Sequence, residues 1–261
     1  MSFTMQRALA HARLSTIFLV VLACAGCAAT PGRTRSDDPL QGLNRGIYKF
    51  NDTLDRAALK PVAKGYRKIT PHWFRIGVGN FFSNLIYPTT IVNQFLQGKG
   101  RLGCRDTGRF LLNSTVGLAG LLDVATHVGL TANDEDFGQT LAVWGVGSGP
   151  FVNLPFFGPS SLRDAPSRIA DYFTSPLTYS DLPWETESGL RALGIVHTRS
   201  ELLQLDATLQ RTYDPYAFIR EAWVQQREFA IYDGNPPPET LEEEPVEDEP
   251  AAEEPAAKPN P

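Results

Sequence analysis

The feature that most constrains the fold of this 261-residue chain is a long stretch without positive charge. No lysine or arginine lies between Arg109 and Arg163, and most of the acidic residues inside the stretch are confined to the run Asp134-Glu135-Asp136. Leucine, valine, alanine and phenylalanine are frequent on both sides of that run. A segment with so few charges is stable only when most of it is removed from water, so we expect it to lie in a protein core or against lipid.

Residues 110–130, the first half of this stretch, are compatible with one helix that has an unusually wide apolar face. At about 100° per residue, its polar and small residues collect on roughly a third of the circumference. These residues are Asn113, Gly117, Gly120, Asp123 and His127. Two interpretations remain open: a central core helix, or a helix whose apolar face meets lipid while its polar stripe faces a partner helix or a water-filled channel. A simple transmembrane span is disfavoured, because the glycines, the acid and the histidine make the segment weakly hydrophobic.

The large apolar residues of the same stretch are candidates for membrane contact. Some lie on the predicted helix away from the polar stripe, and others are aromatic residues among glycines and prolines in the second half. The candidate membrane-facing residues are Phe110, Leu118, Leu122, Trp144, Phe151, Phe156 and Phe157. The polar stripe is the candidate lining of a channel.

The N-terminus has the pattern of an export signal that ends at a cysteine. Two arginines precede a mostly apolar run, and small residues then lead into the sequence LACAGC. This resembles the lipobox of bacterial lipoproteins, with Cys27 as the lipidated residue and Cys24 as the alternative frame. We therefore predict a signal peptide over residues 1–26 and a lipidated tether over residues 27–37. Three acyl chains, at about 0.8 kcal/mol per buried methylene, would make the anchoring permanent.

The cysteines and histidines indicate neither a disulfide framework nor a metal centre. Cleavage before Cys27 leaves Cys104 without a partner, and the histidines are far apart without cysteine or acid at ligand spacing. The glycines of GKGRLG match GxGxxG but follow no buried strand, and Ser148 lies in GxGSG rather than in GxSxG. We therefore expect no metal, no cofactor, no nucleic acid partner and no enzymatic activity.

A first amphipathic helix is predicted to start at Asp38-Pro39, which suit an N-cap and a first helical position. Its apolar residues recur every three or four positions, at Leu40, Leu43, Ile47, Phe50 and Leu54. Pro61 is expected to end or kink this helix. Phe50 and Asn51 are candidate gating residues, because deleting both would turn the downstream part of the stripe by about 200° relative to the upstream part.

Helical patterns dominate the remainder of the folded region. An aromatic, helix-compatible run from Trp73 is predicted to stop before Pro88. The sequence TRSE has the spacing of a capping box, and Asp214-Pro215 is expected to cap a last helix. No segment shows sustained alternation of period two with hairpin signals. The sequence therefore predicts a mainly α fold.

Charge is distributed unevenly along the chain. Cations outnumber acids between Arg45 and Arg75, which is typical of a solvated helical face or of contact with phosphate head groups. Residues 234–261 contain nine acidic residues against Lys258, together with eight prolines, which predicts a disordered acidic tail. Because this tail carries more negative charge than the net −5 of the whole chain, the helical domain predicted over residues 38–233 is close to neutral.

Long ordered motifs across residues 38–233 resemble the VacJ/MlaA family of outer-membrane lipoproteins. They include DPLQGLNRGIYKFN, NFFSNLIYPTTIVNQFLQG, TGRFLLNSTVGLAGLLDVA and FGQTLAVWGVGSGPFVNLPFFGPSSLRD. The resemblance implies a ring-like, membrane-embedded helical lipoprotein with a central channel, lying in the periplasmic leaflet of the outer membrane beside trimeric porins. It also implies that misplaced phospholipids are removed from the outer leaflet and passed to a periplasmic lipid-carrier protein. Cys104 and the acidic tail depart from the family pattern.

Two other functions remain open on the sequence alone. One is a periplasmic hydrolase that acts on lipids, and it is disfavoured because no nucleophile with a spaced base is visible. The other is a lipoprotein that scaffolds porins without transporting lipid. A lipid transporter needs an apolar belt for acyl chains and a locally polar lining for head groups, and residues 110–130 offer both.

Overall fold

The computed structural model describes residues 38–237. The predicted signal peptide, the candidate lipidation residues Cys27 and Cys24, the tether and most of the acidic tail lie outside the described residues. Within the described residues, helices are joined by loops and one short β-hairpin, which confirms the prediction of a mainly α fold.

The described chain enters through a long helical segment that contains one π-helical turn. Helix α1 covers Gln41–Leu54, the π-helix covers Asp55–Leu59, and α2 covers Lys60–Ile69. Asp38 and Pro39 are not the N-cap and first helical position as predicted, because α1 begins at Gln41 after the N-cap residue Leu40; the Asp38 carboxylate accepts a hydrogen bond from the Leu40 N–H at 3.1 Å. Pro61 does not end the helical path, because the wider π turn directly before it accommodates the proline ring.

Helices α3 (His72–Leu96) and α4 (Gly100–Thr115) form the most extensive helix–helix contact of the described fold. The prediction that the first of them stops before Pro88 is wrong, because α3 continues past this residue without a break. Tyr87, Thr89 and Thr90 around the proline are buried against neighbouring elements. Tertiary packing therefore stabilises α3 by more than the missing backbone hydrogen bond of Pro88 destabilises it.

A compact loop over residues 116–122 follows α4 and leads to the short helix α5 (Val124–His127) and then to α6 (Phe137–Val143). Strands β1 (Phe151–Leu154) and β2 (Gly158–Ser161) then form an antiparallel hairpin. The sequence predicted no hairpin, because strands of four residues are too short to show an alternation.

The C-terminal part of the fold is helical. It contains α7 (Asp164–Thr174), α8 (Trp184–Leu202), α9 (Asp206–Arg211) and α10 (Pro215–Ile231). The capping box predicted at Thr198 and Glu201 is wrong, because both residues lie inside α8. The cap predicted at Asp214 is confirmed, because its carboxylate accepts from the Ala217 N–H at 3.2 Å. Helix α8 packs on α2, while α10 packs on α6 and β2.

Candidate functional site

The described fold buries polar side chains and exposes apolar ones, which is the reverse of an ordinary soluble domain. The largest fully buried side chains are Gln94, Asn44, Asn93, Thr140, Asp106, Ser160, Ser161 and Ser200. On the outside, Ile69, Trp73 and Trp184 are each more than 70% exposed, and many leucine and phenylalanine side chains are exposed with them. Apolar surface on this scale marks a face that contacts lipid or another protein.

The buried polar side chains are organised into hydrogen-bonded clusters. Tyr87 donates to Asp106 at 3.0 Å, and the Asn133 amide donates to both oxygens of the same carboxylate at 3.0 and 2.9 Å. Thr140 donates to Asn93 at 2.7 Å. Because each bond compensates for lost hydration, these clusters allow a polar interior to be stable.

The prediction of one helix over residues 110–130 is wrong. Helix α4 ends at Thr115, and the loop over residues 116–122 includes two non-glycine residues with left-handed backbones, Leu118 at φ 54° and Ala119 at φ 58°. Asp123 then caps α5 by accepting from the Thr126 N–H at 3.2 Å. An N-capping aspartate inside an apolar run therefore starts a new helix where the periodicity alone predicted continuity.

The structure divides the five predicted channel-lining residues among different environments. Asn113 donates to Asp123 at 3.0 Å, so these two residues lie together. Gly117 is buried within its own loop, and Gly120 is buried against Asn84. His127 is exposed at the end of α5. The continuous stripe expected on a helix is therefore absent over these residues.

Arg109 holds the loop and α5 against α4. Its guanidinium donates to Asp123 at 2.8 Å, to the Thr126 hydroxyl at 2.9 Å and to the Leu130 carbonyl. Burial opposes the charge of Asp123, but hydrogen bonds from Thr126, Arg109 and Asn113 outweigh it and lower the pKa of Asp123 to about 2. The carboxylate is therefore a permanently ionised partner of a buried arginine.

The close approach of the loop to α3 requires glycine at position 120. Gly120 and Gly129 both have left-handed backbones, at φ 90° and 85°, but a Cβ at Gly120 would overlap Asn84, whereas one at Gly129 would meet no atom within 4 Å. Gly120→Ala is therefore expected to lower the free energy of unfolding by about 1–3 kcal/mol more than Gly129→Ala, which carries the same backbone cost. Denaturation of the two purified variants tests this, and equal losses would contradict it.

The candidate membrane-facing residues are mostly exposed. Leu118, Leu122, Trp144, Phe156 and Phe157 are exposed by 53% or more. Phe110 and Phe151 are only partly exposed, and the Phe151 ring packs edge-on against Trp223 with a centroid distance of 5.7 Å. Phe151 therefore contributes to the attachment of the hairpin to α10.

The candidate gating residues Phe50 and Asn51 contact the tip of the hairpin. The Asn51 side chain donates to the Leu154 carbonyl and accepts from the Phe156 N–H, both at 2.9 Å. The Phe50 and Phe156 rings are T-shaped with centroids 5.4 Å apart. Phe156 has a left-handed backbone at φ 66°, so these contacts hold the tip in a conformation that non-glycine residues seldom adopt.

Asn44, which no predicted site included, attaches the other end of β1 to α1. Its amide donates to the Phe151 carbonyl at 3.0 Å and its oxygen accepts from the Asn153 N–H at 2.8 Å. Asn44 and Asn51 are seven residues apart and therefore share one face of α1. Asparagine is unfavourable in a helix interior, so two asparagines at this spacing were the sequence signal that this face of α1 contacts another element.

The acidic run Asp134-Glu135-Asp136 has structural partners. Glu135 is 4% exposed and accepts from Gln97 at 2.7 Å and from Lys99 at 3.1 Å. Asp136 pairs with Arg227 of α10. The acids that interrupt the apolar stretch therefore connect α3, α6 and α10.

The free energy of unfolding is expected to depend on the ionisation of Asp171. Burial raises the pKa of its carboxyl group to about 6, although the carboxylate accepts from the Phe137 N–H at 2.9 Å. Because the folded-state pKa is raised, ionisation opposes folding, and this contribution lowers stability as pH rises from about 4 to 6. Asp171→Asn keeps an acceptor oxygen and is expected to add about 1 kcal/mol to the free energy of unfolding at pH 7 and nothing at pH 4. Denaturation at both pH values, with exposed Asp181→Asn as the control, tests this; a loss at pH 7 would contradict it.

Among residues 38–237, no three histidine, cysteine or acidic side chains are arranged to hold a metal ion. Among these residues, no helix is both long enough and apolar enough to cross a membrane.

Comparison with known proteins supplies a family. The MlaA lipoprotein family profile matches residues 36–230. The intermembrane phospholipid transport system lipoprotein MlaA of Escherichia coli K12 is 39% identical over 233 residues, covering 87% of this chain and 92% of that protein. The protein of the same name from Haemophilus influenzae is 29% identical over 84% of this chain and 90% of its own. A solved structure described as "Structural basis for maintenance of bacterial outer membrane lipid asymmetry" has a TM-score of 0.67 and 38% identity, and covers 75% of this chain and 99% of that one.

Proposed function

The chain belongs to the MlaA lipoprotein family, and from this premise we propose that it removes misplaced phospholipids from the outer leaflet of the outer membrane. It passes them toward the inner membrane and so maintains lipid asymmetry. The relatives named for intermembrane phospholipid transport and the structure described for outer-membrane lipid asymmetry both support this function.

The observation that carries the proposal is the reversed distribution of polar and apolar side chains. Exposed residues such as Trp73, Leu118 and Phe157 offer a surface to acyl chains, while the interior is hydrogen-bonded and polar. A phospholipid combines both chemistries, so a protein that moves one between membranes needs an apolar exterior beside polar groups. We propose that the loop over residues 116–122 borders the passage, with Leu118 and Leu122 toward lipid.

We propose that the protein is anchored in the outer membrane from its periplasmic side by acyl chains on Cys27, with Cys24 as the alternative. The proposed partners are a trimeric porin beside its apolar surface and a periplasmic lipid carrier that accepts the phospholipid. Acyl labelling tests the anchor, since label should disappear in Cys27→Ala; persistence of label there and loss in Cys24→Ala would select the other frame.

The proposed activity breaks no covalent bond. Among the described residues, the two histidine rings with side-chain hydrogen bonds meet Tyr66 and Arg75 rather than a serine or cysteine nucleophile. This supports transport over hydrolysis, because an activated nucleophile needs an adjacent base.

Lipid transfer in vesicles tests the function. Vesicles that contain the full protein and a labelled phospholipid are mixed with a periplasmic carrier, and the carrier is then recovered and its lipid analysed. We expect intact phospholipid on the carrier in an amount that depends on the protein. Released fatty acid would instead identify a hydrolase, and no transfer above protein-free vesicles would favour the porin scaffold.

A further inference from the structure

An open apolar groove of about 480 Å³ lies between α1 and the tip of the β-hairpin. Gly42 and Gly46, one helical turn apart, form its floor, and its sides include Leu43, Phe50 and Phe156. The side chains around it are hydrocarbon, and the volume lies in the range of pockets that hold small ligands. The groove is therefore suited to a flexible hydrocarbon chain.

Two features keep the groove open. A Cβ at either Gly42 or Gly46 would meet no atom within 4 Å, so the floor is empty because these positions lack side chains. On the opposite side, Asn51 fixes the hairpin tip by accepting from the Phe156 N–H at 2.9 Å. The exposed Phe156 ring is thus held as a wall of the groove.

An exposed lysine, Lys49, flanks this apolar groove. Viewed down the axis of α1 at about 100° per residue, Lys49 and Gly42 lie at neighbouring angles, and Phe50 lies on the other side of Gly42. Lys49 is exposed and has no carboxylate partner among residues 38–237, since nearby Asp52 pairs with Arg56 at 3.0 Å. A hydrocarbon groove with one cation at its edge complements an amphiphile that has one anionic group.

We propose that the groove holds one acyl chain of a phospholipid, with the lipid phosphate at Lys49. The inference rests on the proposed transport function and names a binding site for its substrate. A phospholipid fits both the hydrocarbon lining and the adjacent charge, because it joins acyl chains to one anionic phosphate.

A photoreactive phospholipid with a diazirine in one acyl chain tests the site in vesicles that contain the full protein. We expect labelling of the α1 peptide that contains Gly46. Gly46→Leu places a side chain in the groove, starting from a Cβ position with no atom within 4 Å, and should reduce this labelling by about tenfold, since it displaces methylene contacts. Gly65→Leu is the matched control, because Gly65 is also an exposed glycine within a helix with open space around it. Equal labelling in wild type and Gly46→Leu would overturn the proposal.

The Lys49→Gln variant tests the contribution of the phosphate separately from that of the acyl chain. In wild type, the phospholipid probe should label α1 more strongly than a diacylglycerol that carries the same diazirine but no phosphate, and in Lys49→Gln the two should label equally. An unchanged preference for the phospholipid would overturn the role of Lys49. Labelling of the groove that occurs only in Cys27→Ala would show that the chain's own anchor fills it, and would also overturn the proposal.

Failure of this inference is distinguishable from failure of the proposed function. Lipid transfer by the wild-type protein without labelling of α1 would exclude the groove as a substrate site and leave the transport function standing. Specific labelling of the groove without lipid transfer would support the site and contradict transport.

Discussion

Arg227→Met is expected to lower the free energy of unfolding by about 3 kcal/mol, since it leaves Asp136 without its cation and Asp164 with Arg163 as its remaining cation. Arg227 donates to both oxygens of Asp136 at 2.5 and 2.7 Å, and to Asp164 at 3.0 and 3.1 Å. Burial opposes its charge, but the hydrogen bonds to Asp136 and the nearby carboxylates raise the pKa of Arg227. Methionine retains much of the packing and removes the charge and all the donors.

Chemical denaturation of the purified protein in detergent measures this loss. Arg211→Met is the matched control, because Arg211 is exposed and has no ion pair within residues 38–237. The pKa values of Asp136 and Asp164 are lowered in the folded protein, so the contribution of Arg227 is present above about pH 4 and fades as pH falls further. An unfolding free energy equal to that of the control at pH 7 would contradict the assignment.

Arg109→Met is expected to release residues 116–130 from α4 and to abolish most lipid transfer. The substitution removes the donors to Asp123, Thr126 and the Leu130 carbonyl and leaves a partly buried carboxylate without its cation. Asp123 keeps its hydrogen bonds from Thr126 and Asn113, so the local cost is about 1–3 kcal/mol, which raises the open fraction of the loop.

Limited proteolysis reports the release of this loop. Cleavage within residues 116–123 should become rapid in Arg109→Met and remain slow in Arg101→Met, which removes an exposed arginine from the same helix. The vesicle assay measures transfer by the same two variants. A protected loop with normal transfer would show that Arg109 is not needed to hold it, and an opened loop with normal transfer would exclude the loop from the passage.

The helical class and the start of the last helix could be predicted from the sequence, whereas interruptions could not. Asp214-Pro215 starts a helix as predicted, because its signal is local: a carboxylate that reaches an amide three residues ahead. Pro88 and Thr198 gave equally clear local signals that the structure overrides, since both lie inside long helices packed against neighbours. A local signal does not predict the structure where tertiary contacts stabilise a helix by more than a cap or one backbone hydrogen bond does.

The candidate site was predicted less well, because its main contacts join residues distant in sequence. The polar stripe correctly grouped Asn113 with Asp123, but through a hydrogen bond across a loop rather than along one helix. Arg109, which organises that loop, falls on the same side as this stripe at about 100° per residue, but it stands just before the cation-free stretch and was therefore not grouped with it. Asn51 acts on backbone groups of a hairpin more than a hundred residues away. Its seven-residue spacing from Asn44 indicates a shared face of α1 but not which element that face contacts.

The reversed distribution of polar and apolar side chains has a consequence for the heat capacity of unfolding. Exposure of apolar surface to water raises heat capacity, and exposure of polar groups lowers it. Apolar surface that contacts lipid in both the folded and the unfolded state adds nothing to this change, while the groups that unfolding newly exposes to water, such as Gln94, Asn93 and Asp106, are polar. In a bilayer we therefore expect a small heat-capacity change and a stability curve with little curvature, so that cooling weakens the fold far less than it weakens a soluble domain with an apolar core.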